Sequence, residues 1–329
     1  MHLPDLLPPA ASGLQVCRDG EAVPESLRGA VAAIGNFDGV HSGHAALIAA
    51  ARDAAGRTGR ASAVLTFEPH PRTHFRPETP LFRLTPEPVK LALLARHGLD
   101  GVFVRRFDET LSALTAEAFV TGLLGGDLGV SGVVVGHDFH FGRGREGTPA
   151  RLQEFCRAQG IGCTIIPAVT FGDQAVSSSA IRTALERGDV ASANALLGYR
   201  WFVRGEVRHG QKRGRTLGYP TANLRLPDEC RLRHGIYAVR ASLGGGQVHE
   251  GVASFGRRPT FDNGAPLLEA FLFGFAGDLY GRTLDVELVA WVRGEERFDS
   301  AEALVERMHR DSREAQTMLA ADRVPSMIG

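Results

Sequence analysis

Cysteine is scarce in this sequence, and neither positive nor negative charge is in excess. Four cysteines are scattered over 329 residues, with no CxxC pair and no histidine at the spacing of a metal site. This pattern favours reduced thiols over a disulfide framework or a zinc site. Lysine plus arginine and aspartate plus glutamate both number 37. The net charge therefore does not indicate a general binder of nucleic acid or of membrane surfaces.

Long apolar runs are also missing. No stretch approaches the roughly 20 apolar residues that span a bilayer, and residues 1–5 lack the basic region that begins a signal peptide. We therefore expect a cytoplasmic protein that binds neither membranes nor nucleic acid. What is present is a hydrophobic content of 43% over 329 residues, enough for about two domains with separate cores.

The first part of the chain alternates between strand and helix patterns. Short apolar runs rich in β-branched residues predict buried parallel strands at residues 31–34, 61–67, 101–107, 132–135 and 162–169. Helical patterns lie between them at residues 44–55, 87–97, 115–124 and 149–159. The alternation predicts a Rossmann-like, doubly wound α/β domain whose ligands bind beyond the carboxyl ends of the strands.

The pattern changes after two further helical segments at residues 179–187 and 190–197. Strand patterns then follow one another at residues 202–208, 235–242, 248–254, 268–275 and 284–292, and an amphipathic helix spans about 300–321. Successive strands without intervening helices predict an antiparallel β-barrel, here with a C-terminal helix. We place the domains at residues 1–198 and 199–329.

Two histidines stand where the first buried strand turns into a helix. The segment runs Gly35-Asn36-Phe37-Asp38-Gly39-Val40-His41-Ser42-Gly43-His44. The backbone N–H groups and the dipole of a helix N-terminus attract phosphate. Glycines let the backbone approach a ligand closely, and histidine can donate to growing negative charge. We predict a nucleotide site here.

Two further loops follow predicted strands of the same sheet. Glu68-Pro69-His70 ends the second strand, and both polar side chains are expected to face the strand-end crevice. Residues 142–147 match GxGxxG, but they follow the fourth strand and no clear acidic residue ends the next one. A nicotinamide site is therefore rejected, and the loop is kept as a substrate contact.

A run of serines begins the helix after the fifth strand. Ser177, Ser178 and Ser179 offer hydroxyl and N–H groups to a phosphate, and Arg182 follows one turn later as a fork-shaped donor. An alternative is an ordinary helix cap with more hydroxyls than it needs.

A glycine-rich, basic segment lies in the second domain, at residues 210–223. It is no P-loop, because it lacks GxxxxGK[ST] between a strand and a helix. An RNA-binding loop is the poorer alternative, since no wider basic or aromatic surface accompanies it. A phosphate cradle fits better, with Thr221 and Asn223 as oxygen ligands for Mg²⁺.

Taken together, the segments 35–44, 66–71, 136–147, 177–182 and 214–223 resemble the prokaryotic bifunctional riboflavin kinase/FAD synthetase family. The resemblance covers nearly the whole chain. It implies that the barrel phosphorylates riboflavin with MgATP to FMN. The N-terminal domain would then transfer AMP from ATP to FMN, giving FAD and pyrophosphate.

The resemblance also implies roles for individual residues. His41 and His44 would bind the ATP phosphates, Arg182 and the serines would hold the leaving phosphates, and Glu269 would be the kinase base. The nucleotide-binding set comprises Gly35, Asn36, Phe37, Asp38, Gly39, Gly43, Ser177, Ser178, Ser179, Gly214, Arg215, Thr216 and Pro220. The flavin-binding set comprises Glu68, His70, Asp138, Phe139 and Arg258.

Three positions depart from the usual pattern of this family. Ser179 stands where threonine is frequent and keeps the hydroxyl, while Asp138 and Arg258 stand where other members have asparagine. Two rivals stay open at this point: a nucleotidyltransferase for another phosphorylated acceptor with a non-catalytic barrel, and a non-enzymatic flavin-sensing module. The oligomeric state is also open.

Overall fold

A computed structural model of the chain describes residues 13–210, 218–244, 246–257 and 264–328. The chain divides into two compact units, one of Met1–Leu81 with Thr85–Ser177 and one of Phe82–Leu84 with Ser178–Gly329. This division falls before two helices that we assigned to the first domain. The predicted boundary at 198/199 concerns which residues serve each activity and stays a prediction.

The first unit contains a parallel sheet. Its strands in the described residues are β1 (Gln15–Arg18), β2 (Val31–Ile34), β3 (Ser62–Glu68), β4 (Gly101–Arg106), β5 (Gly132–Gly136) and β6 (Gly162–Ile166). Their order is β1-β4-β3-β2-β5-β6, and every neighbouring pair is parallel. The order reverses between β2 and β5, which confirms the doubly wound prediction and marks where ligands bind in such sheets.

Helices connect these strands. They are α1 (Ser42–Thr58), α2 (Pro71–Phe75), α3 (Glu87–Ala95), α4 (Glu109–Ala113), α5 (Ala116–Ala118), a π-helix continuing α5 (Phe119–Asp127), and α6 (Pro149–Ala158). A short hairpin of β7 (Thr170–Phe171) and β8 (Gln174–Ala175) follows the sheet. The predicted strand at 162–169 ends at Ile166, because Pro167 has no N–H to continue the ladder. The edge strand β1, the short helices α2 and α4 and the hairpin were not predicted.

The second unit begins with α7 (Ser178–Arg187) and α8 (Val190–Leu197). Its described strands are β9 (Phe202–Arg208), β10 (Ala222–Arg225), β11 (Gly235–Ser242), β12 (Val248–Arg257), β13 (Pro266–Leu272) and β14 (Thr283–Arg293). They close a barrel in the order β10-β13-β12-β11-β14-β9, and all neighbouring pairs are antiparallel. The predicted barrel is confirmed, with one added strand, β10, which begins at the end of the segment 210–223 that we had treated as a loop.

The C-terminal helix α9 (Ala301–Ala321) begins at Ser300, whose hydroxyl accepts from the Ala303 N–H at 3.1 Å. Its buried face includes Asp311, whose carboxylate accepts from Arg293 of β14 at 2.6 and 2.7 Å. The ion pair attaches the helix to the barrel. Among the helices in the described part of the chain, none is long and apolar enough to cross a membrane.

Candidate functional site

The loop that joins β2 to α1 lies at the point where the strand order reverses. Phe37 and Val40 have positive φ angles of 51° and 37°, and Gly39 has 89°. Positive φ is strained for residues other than glycine. The Phe37 and Val40 side chains are fully buried, and this packing holds the loop in its conformation. Any contact of Phe37 with a nucleotide would therefore go through its backbone.

The two histidines of this loop stack on each other at the start of α1. Their ring centroids are 3.7 Å apart with an interplanar angle of 17°. His41 is the N-cap residue, and its Nδ1 accepts from the His44 N–H at 3.3 Å. A neutral His41 consequently carries its proton on Nε2. A Cβ at Gly43 would lie 3.1 Å from the His41 ring, so glycine at this position leaves room for the stack.

The environment of His44 disfavours a positive charge on its ring. Burial lowers the pKa of His44 well below its usual value, and the nearby charges of His41, Lys90 and His97 lower it further. Its Nδ1 is buried and has no hydrogen-bond partner among the described residues. The ring is therefore neutral at pH 7 and can act as a hydrogen-bond donor.

Asp38 is held by the segment that precedes α3. Its Oδ1 accepts from the Thr85 N–H at 3.0 Å and from the Thr85 hydroxyl at 3.3 Å. The Gly39 N–H in turn donates to Thr85 Oγ1 at 2.9 Å. Asp38 is buried, so these bonds give its carboxylate a structural task in the loop. Direct nucleotide binding by Asp38 and Gly39 stays a prediction.

Glu68 lies at the end of β3, where its carboxylate forms an ion pair with a buried lysine. Glu68 Oε1 is 2.6 Å from Lys90 Nζ, and the Lys90 side chain is 1% exposed. Lys90 Nζ also donates to Thr66 Oγ1 at 3.0 Å and to the Asn36 carbonyl at 3.3 Å. The structure thus joins two predicted site residues, Asn36 and Glu68, through a third that the sequence did not reveal.

Aromatic side chains gather beside His70, which caps α2 by accepting from the Arg72 N–H at 3.1 Å. Phe75 is 63% exposed, and its ring packs edge-on against Phe107 at 5.6 Å and His74 at 5.2 Å. An exposed aromatic cluster at the strand ends suits a planar ligand. We did not predict this cluster, because α2 is only five residues long and His74 and Phe75 form no recognisable periodic pattern.

The loop after β5 carries the predicted flavin residues Asp138 and Phe139. Asp138 is exposed, and the Phe139 ring stacks on Phe141 at 5.4 Å with an interplanar angle of 13°. Two of the three GxGxxG glycines serve packing here, whereas Gly144 has open space around it and a positive φ of 64°. A Cβ at Gly142 would lie 2.8 Å from the Ala116 nitrogen, and one at Gly147 would lie 2.6 Å from the Phe141 ring. Close packing at Gly142 and Gly147 and the backbone conformation at Gly144 account for the motif without a dinucleotide.

The serine run is divided between the two units. Ser177 ends the first unit, while Ser178 and Ser179 open α7 in the second. Arg182, one turn into α7, donates from Nε to the Phe82 carbonyl at 2.7 Å. This bond holds the guanidinium at its Nε edge. That these residues bind phosphates stays a prediction.

The predicted kinase residues Asn223 and Glu269 lie directly opposite each other on adjacent strands, β10 and β13. Their immediate neighbours Leu224 and Leu268 are fully buried, so the polar pair lies on the other face of the two strands. Thr221 lies two residues before Asn223, the spacing of residues on one face of a strand. Its carbonyl accepts a hydrogen bond from Asn223 Nδ2 at 3.3 Å. Oδ1, the atom through which an asparagine binds a cation, takes no part in that bond.

Close packing also shapes this pair of strands. A Cβ at Gly210 would lie 2.7 Å from Asn223 Nδ2, so glycine there leaves space for the amide. Pro220, which precedes Thr221, is exposed. The predicted nucleotide residues Gly214, Arg215 and Thr216 and the predicted flavin residue Arg258 lie outside the described residues.

The donor set at Thr221 and Asn223 suits Mg²⁺ bound together with a nucleotide. Hydroxyl and amide oxygens are hard ligands, and Mg²⁺ commonly takes few protein ligands because phosphates and water supply the rest. Within the described residues there is no group of three or more His, Cys, Asp or Glu that could hold a metal by itself. A metal that arrives with ATP phosphates needs no such group.

Sequence reasoning missed Lys90 and Thr85. Lys90 does carry a signal, since Leu93 and Leu94 follow it at spacings of three and four and all of them are buried on one face of α3. A lysine at a core position indicates a buried partner. Thr85 carries no signal, because its bonds to Asp38 and Gly39 connect residues more than 40 positions apart.

Comparison with known proteins identifies both parts of the chain. A family model for FAD synthetase matches residues 23–180, and one for riboflavin kinase matches residues 197–319. The bifunctional riboflavin kinase/FMN adenylyltransferase of Bacillus subtilis (strain 168) is 37% identical over 299 residues, covering 89% of this chain and 93% of the relative. The protein of the same name from Escherichia coli (strain K12) is 40% identical over 283 residues, covering 86% and 90%.

A solved structure shows the same fold over most of the chain. The crystal structure of a macrolide-efflux protein from Streptococcus pneumoniae superposes with a TM-score of 0.80 at 29% identity, covering 91% of this chain and 97% of the other. The curated relatives, in contrast, carry the names of both enzymatic activities over nearly their full lengths. The chain belongs to the family of bifunctional riboflavin kinases/FMN adenylyltransferases.

Proposed function

We propose that the two reactions of this family are divided between the two predicted domains and are carried by the residues assigned above. FMN would be made from riboflavin and ATP on the barrel. FMN and a second ATP would then react beside the stacked histidines to give FAD and pyrophosphate. The observation that carries the proposal is the His41–His44 stack, which lies after β2 where the strand order reverses.

In adenylyl transfer, a phosphate oxygen of FMN attacks the α-phosphorus of ATP. The bond from that phosphorus to the oxygen bridging it to the β-phosphorus breaks, and pyrophosphate leaves. Such transfers need positioning and charge stabilisation more than covalent catalysis. Nε2–H of His41 and the neutral ring of His44 would donate to the oxygens at the α-phosphorus. Ser177, Ser178 and Arg182 would hold the leaving phosphates.

The flavin of this reaction would lie against the strand-end loops. The half-buried Phe139, which stacks on the buried Phe141, and the exposed Phe75 offer ring faces, and planar aromatic ligands stack on such faces. Asp138 and His70 supply polar contacts at the rim. Glu68 would affect the flavin site indirectly, through its ion pair with Lys90.

In riboflavin phosphorylation, the 5′-hydroxyl oxygen attacks the γ-phosphorus, its proton passes to the Glu269 carboxylate, and ADP leaves. The cross-strand pairing of Glu269 with Asn223 supports this assignment, because it brings the base beside the phosphate-binding strand. Thr221 and Asn223 would hold Mg²⁺. When bound with ATP, Mg²⁺ offsets the negative charge of the phosphates.

Reciprocal variants in the full-length enzyme test the division of labour. His44→Ala should lower FMN adenylylation roughly 100- to 1,000-fold, the usual loss for one preorganised donor, while FMN formation stays near the wild-type rate. Glu269→Gln should lower riboflavin phosphorylation and spare FMN adenylylation. A timed assay that resolves riboflavin, FMN and FAD measures both steps.

Glu306→Gln is a matched control for Glu269→Gln, because Glu306 is an exposed acid on α9 paired with Arg310. It should change neither step. If one of the two active-site variants abolished both reactions while remaining folded, the two sites would not be independent and the proposal would be wrong.

A cytoplasmic location also remains our proposal. All four cysteines are free in the structure, and both reactions consume ATP. Cell fractionation with detection of the intact protein would test it.

A further inference from the structure

Lys90 is a buried cation that none of the proposed catalytic roles explains. Lys90 and Lys212 are the two lysines of a chain with 37 basic residues, so positive charge here is otherwise carried by arginine. Removing an ammonium group from water is costly unless it finds close partners. The groups that hold the Lys90 ammonium therefore indicate the role of this residue.

Three partners of Lys90 lie beside residues 35–41, which we call the phosphate loop because the proposed function assigns them to ATP. The Lys90 ammonium is within hydrogen-bond distance of Glu68 Oε1, Thr66 Oγ1 and the Asn36 carbonyl. A single ammonium nitrogen can serve such closely grouped acceptors, whereas a guanidinium spreads its donors over a plane. The compact charge fits the space between the end of β3 and the loop.

The Asn36 carbonyl is held from two sides. Besides Lys90 Nζ at 3.3 Å, Thr66 Oγ1 donates to it at 3.1 Å. The next residue is Phe37, whose φ of 51° begins the strained part of the loop. Fixing this carbonyl therefore fixes the peptide from which the loop turns toward His41.

The segment before α3 holds the same loop further along. Thr85, five residues before Lys90 in the sequence, binds the Asp38 carboxylate and the Gly39 N–H. The loop is thus attached at residue 36 and again at residues 38–39 by one short stretch of chain. Such supporting contacts set the precision of groups that do chemistry.

We propose that Lys90 is a positioning residue of the adenylyl-transfer site, which orients the phosphate loop through the Asn36 carbonyl and keeps the Glu68 carboxylate paired and away from the ATP phosphates. This inference rests on the proposed assignment of the loop to ATP. It is supported by the effect of the Lys90 charge on His44, whose pKa is lowered first by burial and then by neighbouring charges that include Lys90.

The test compares Lys90→Met, Glu68→Gln and the double variant Lys90→Met/Glu68→Gln in the full-length enzyme. Lys90→Met should lower the kcat of FMN adenylylation by about 10- to 100-fold, the scale of loss for reacting groups displaced by about 1 Å. The KM for FMN should change less than about threefold, because a loop that mispositions ATP affects turnover more than flavin binding. Riboflavin phosphorylation reports whether the rest of the chain is intact.

The double variant separates positioning from charge balance. Lys90→Met alone leaves a carboxylate without its cation and can destabilise the first unit, whereas the double variant removes both charges. Our inference requires that the double variant be folded and still have a kcat at least about tenfold below that of Glu68→Gln. If its kcat equalled that of Glu68→Gln, Lys90 would only neutralise Glu68 and the inference would be wrong.

The proposed site can fail separately from this inference. If His44→Ala left FMN adenylylation unchanged, the loop would not be the adenylyl-transfer site and the proposed function would need revision. If His44→Ala lost activity and the double variant matched Glu68→Gln, only the role of Lys90 would be refuted.

Discussion

Burial and neighbouring side chains keep the ring of His44 neutral. His44 lies beside His41 and within the influence of Lys90 and His97, and each of these charges lowers its pKa in addition to burial. His97, which follows α3, is itself buried, and its Nε2 has no hydrogen-bond partner among the residues that the structure describes. Burial, followed by the charge of Arg52, lowers the pKa of His97 to about 4.

This shift predicts a pH-dependent stability. Between pH 6.5 and about 4, unfolded His97 binds a proton that the folded form does not, so the free energy of unfolding should fall as the pH falls. The contribution is at most about 3–4 kcal/mol, because one pKa unit corresponds to about 1.4 kcal/mol. Calorimetric unfolding at a series of pH values, on wild type and His97→Leu, measures it.

His97→Leu should lose part of this pH dependence, and the remainder includes the contribution of His44, which has the same sign. Above pH 7 the wild-type histidine is neutral in both states, so the difference between the proteins there reports packing alone. An unchanged slope between pH 6.5 and 4 in His97→Leu would contradict the prediction.

Among the elements, strand register and one ion pair do most to place the second site and its helix. The register between β10 and β13 sets Asn223 opposite Glu269, and a slip by one residue would place an apolar residue opposite each of them. On α9, Asp311 binds Arg293 at 2.6 Å and Arg307 at 3.0 Å. Its side chain is only 4% exposed.

Asp311→Ala should therefore destabilise the barrel unit by up to about 3–5 kcal/mol, because it removes the nearest carboxylate from two largely buried guanidinium groups, Arg293 and Arg307. Urea unfolding followed by tryptophan fluorescence measures this directly, since both tryptophans, Trp201 and Trp291, belong to the second unit.

Glu306→Ala provides the matched control on the same helix. Its carboxylate pairs with Arg310 at 3.3 Å, but the side chain is 76% exposed, and such surface pairs contribute about 0.5 kcal/mol or less. If the two variants lost the same free energy of unfolding, burial would not explain the contribution of the Asp311 ion pair.

For the molecule as a whole, two units with separate cores predict two activities that survive independently. Among the described strands, every hydrogen-bonded strand pair lies within one unit. A defect in one site should therefore leave the other working.

Mixing two defective full-length enzymes tests this expectation. From riboflavin, His44→Ala protein should make FMN but little FAD. Glu269→Gln protein should make little FMN from riboflavin but should convert added FMN to FAD. The mixture should convert riboflavin to FAD after a lag in which free FMN accumulates. Failure of the mixture, with each variant active in its own step, would mean that FMN must pass within one chain.

Local patterns predicted much of the fold but not all of it. The strand Val31–Ile34 was predicted to the residue, because it is buried on both faces and bounded by glycine. Strand β10 was missed, because its four residues follow a glycine-rich segment and have no alternation long enough to recognise. Within the site, the histidines followed from their place between strand and helix, whereas Thr85 had no local signal.

The sequence by itself determined the two domain types and predicted a phosphate site at the two histidines, because both depend on periodicity and on residues that are neighbours along the chain. Only the tertiary structure decided that Lys90 and Thr85 hold the loop, that Glu68 is paired, and that Asn223 faces Glu269. These contacts join segments tens of residues apart. They depend on the order of strands in the sheet and on barrel register, which no local pattern encodes.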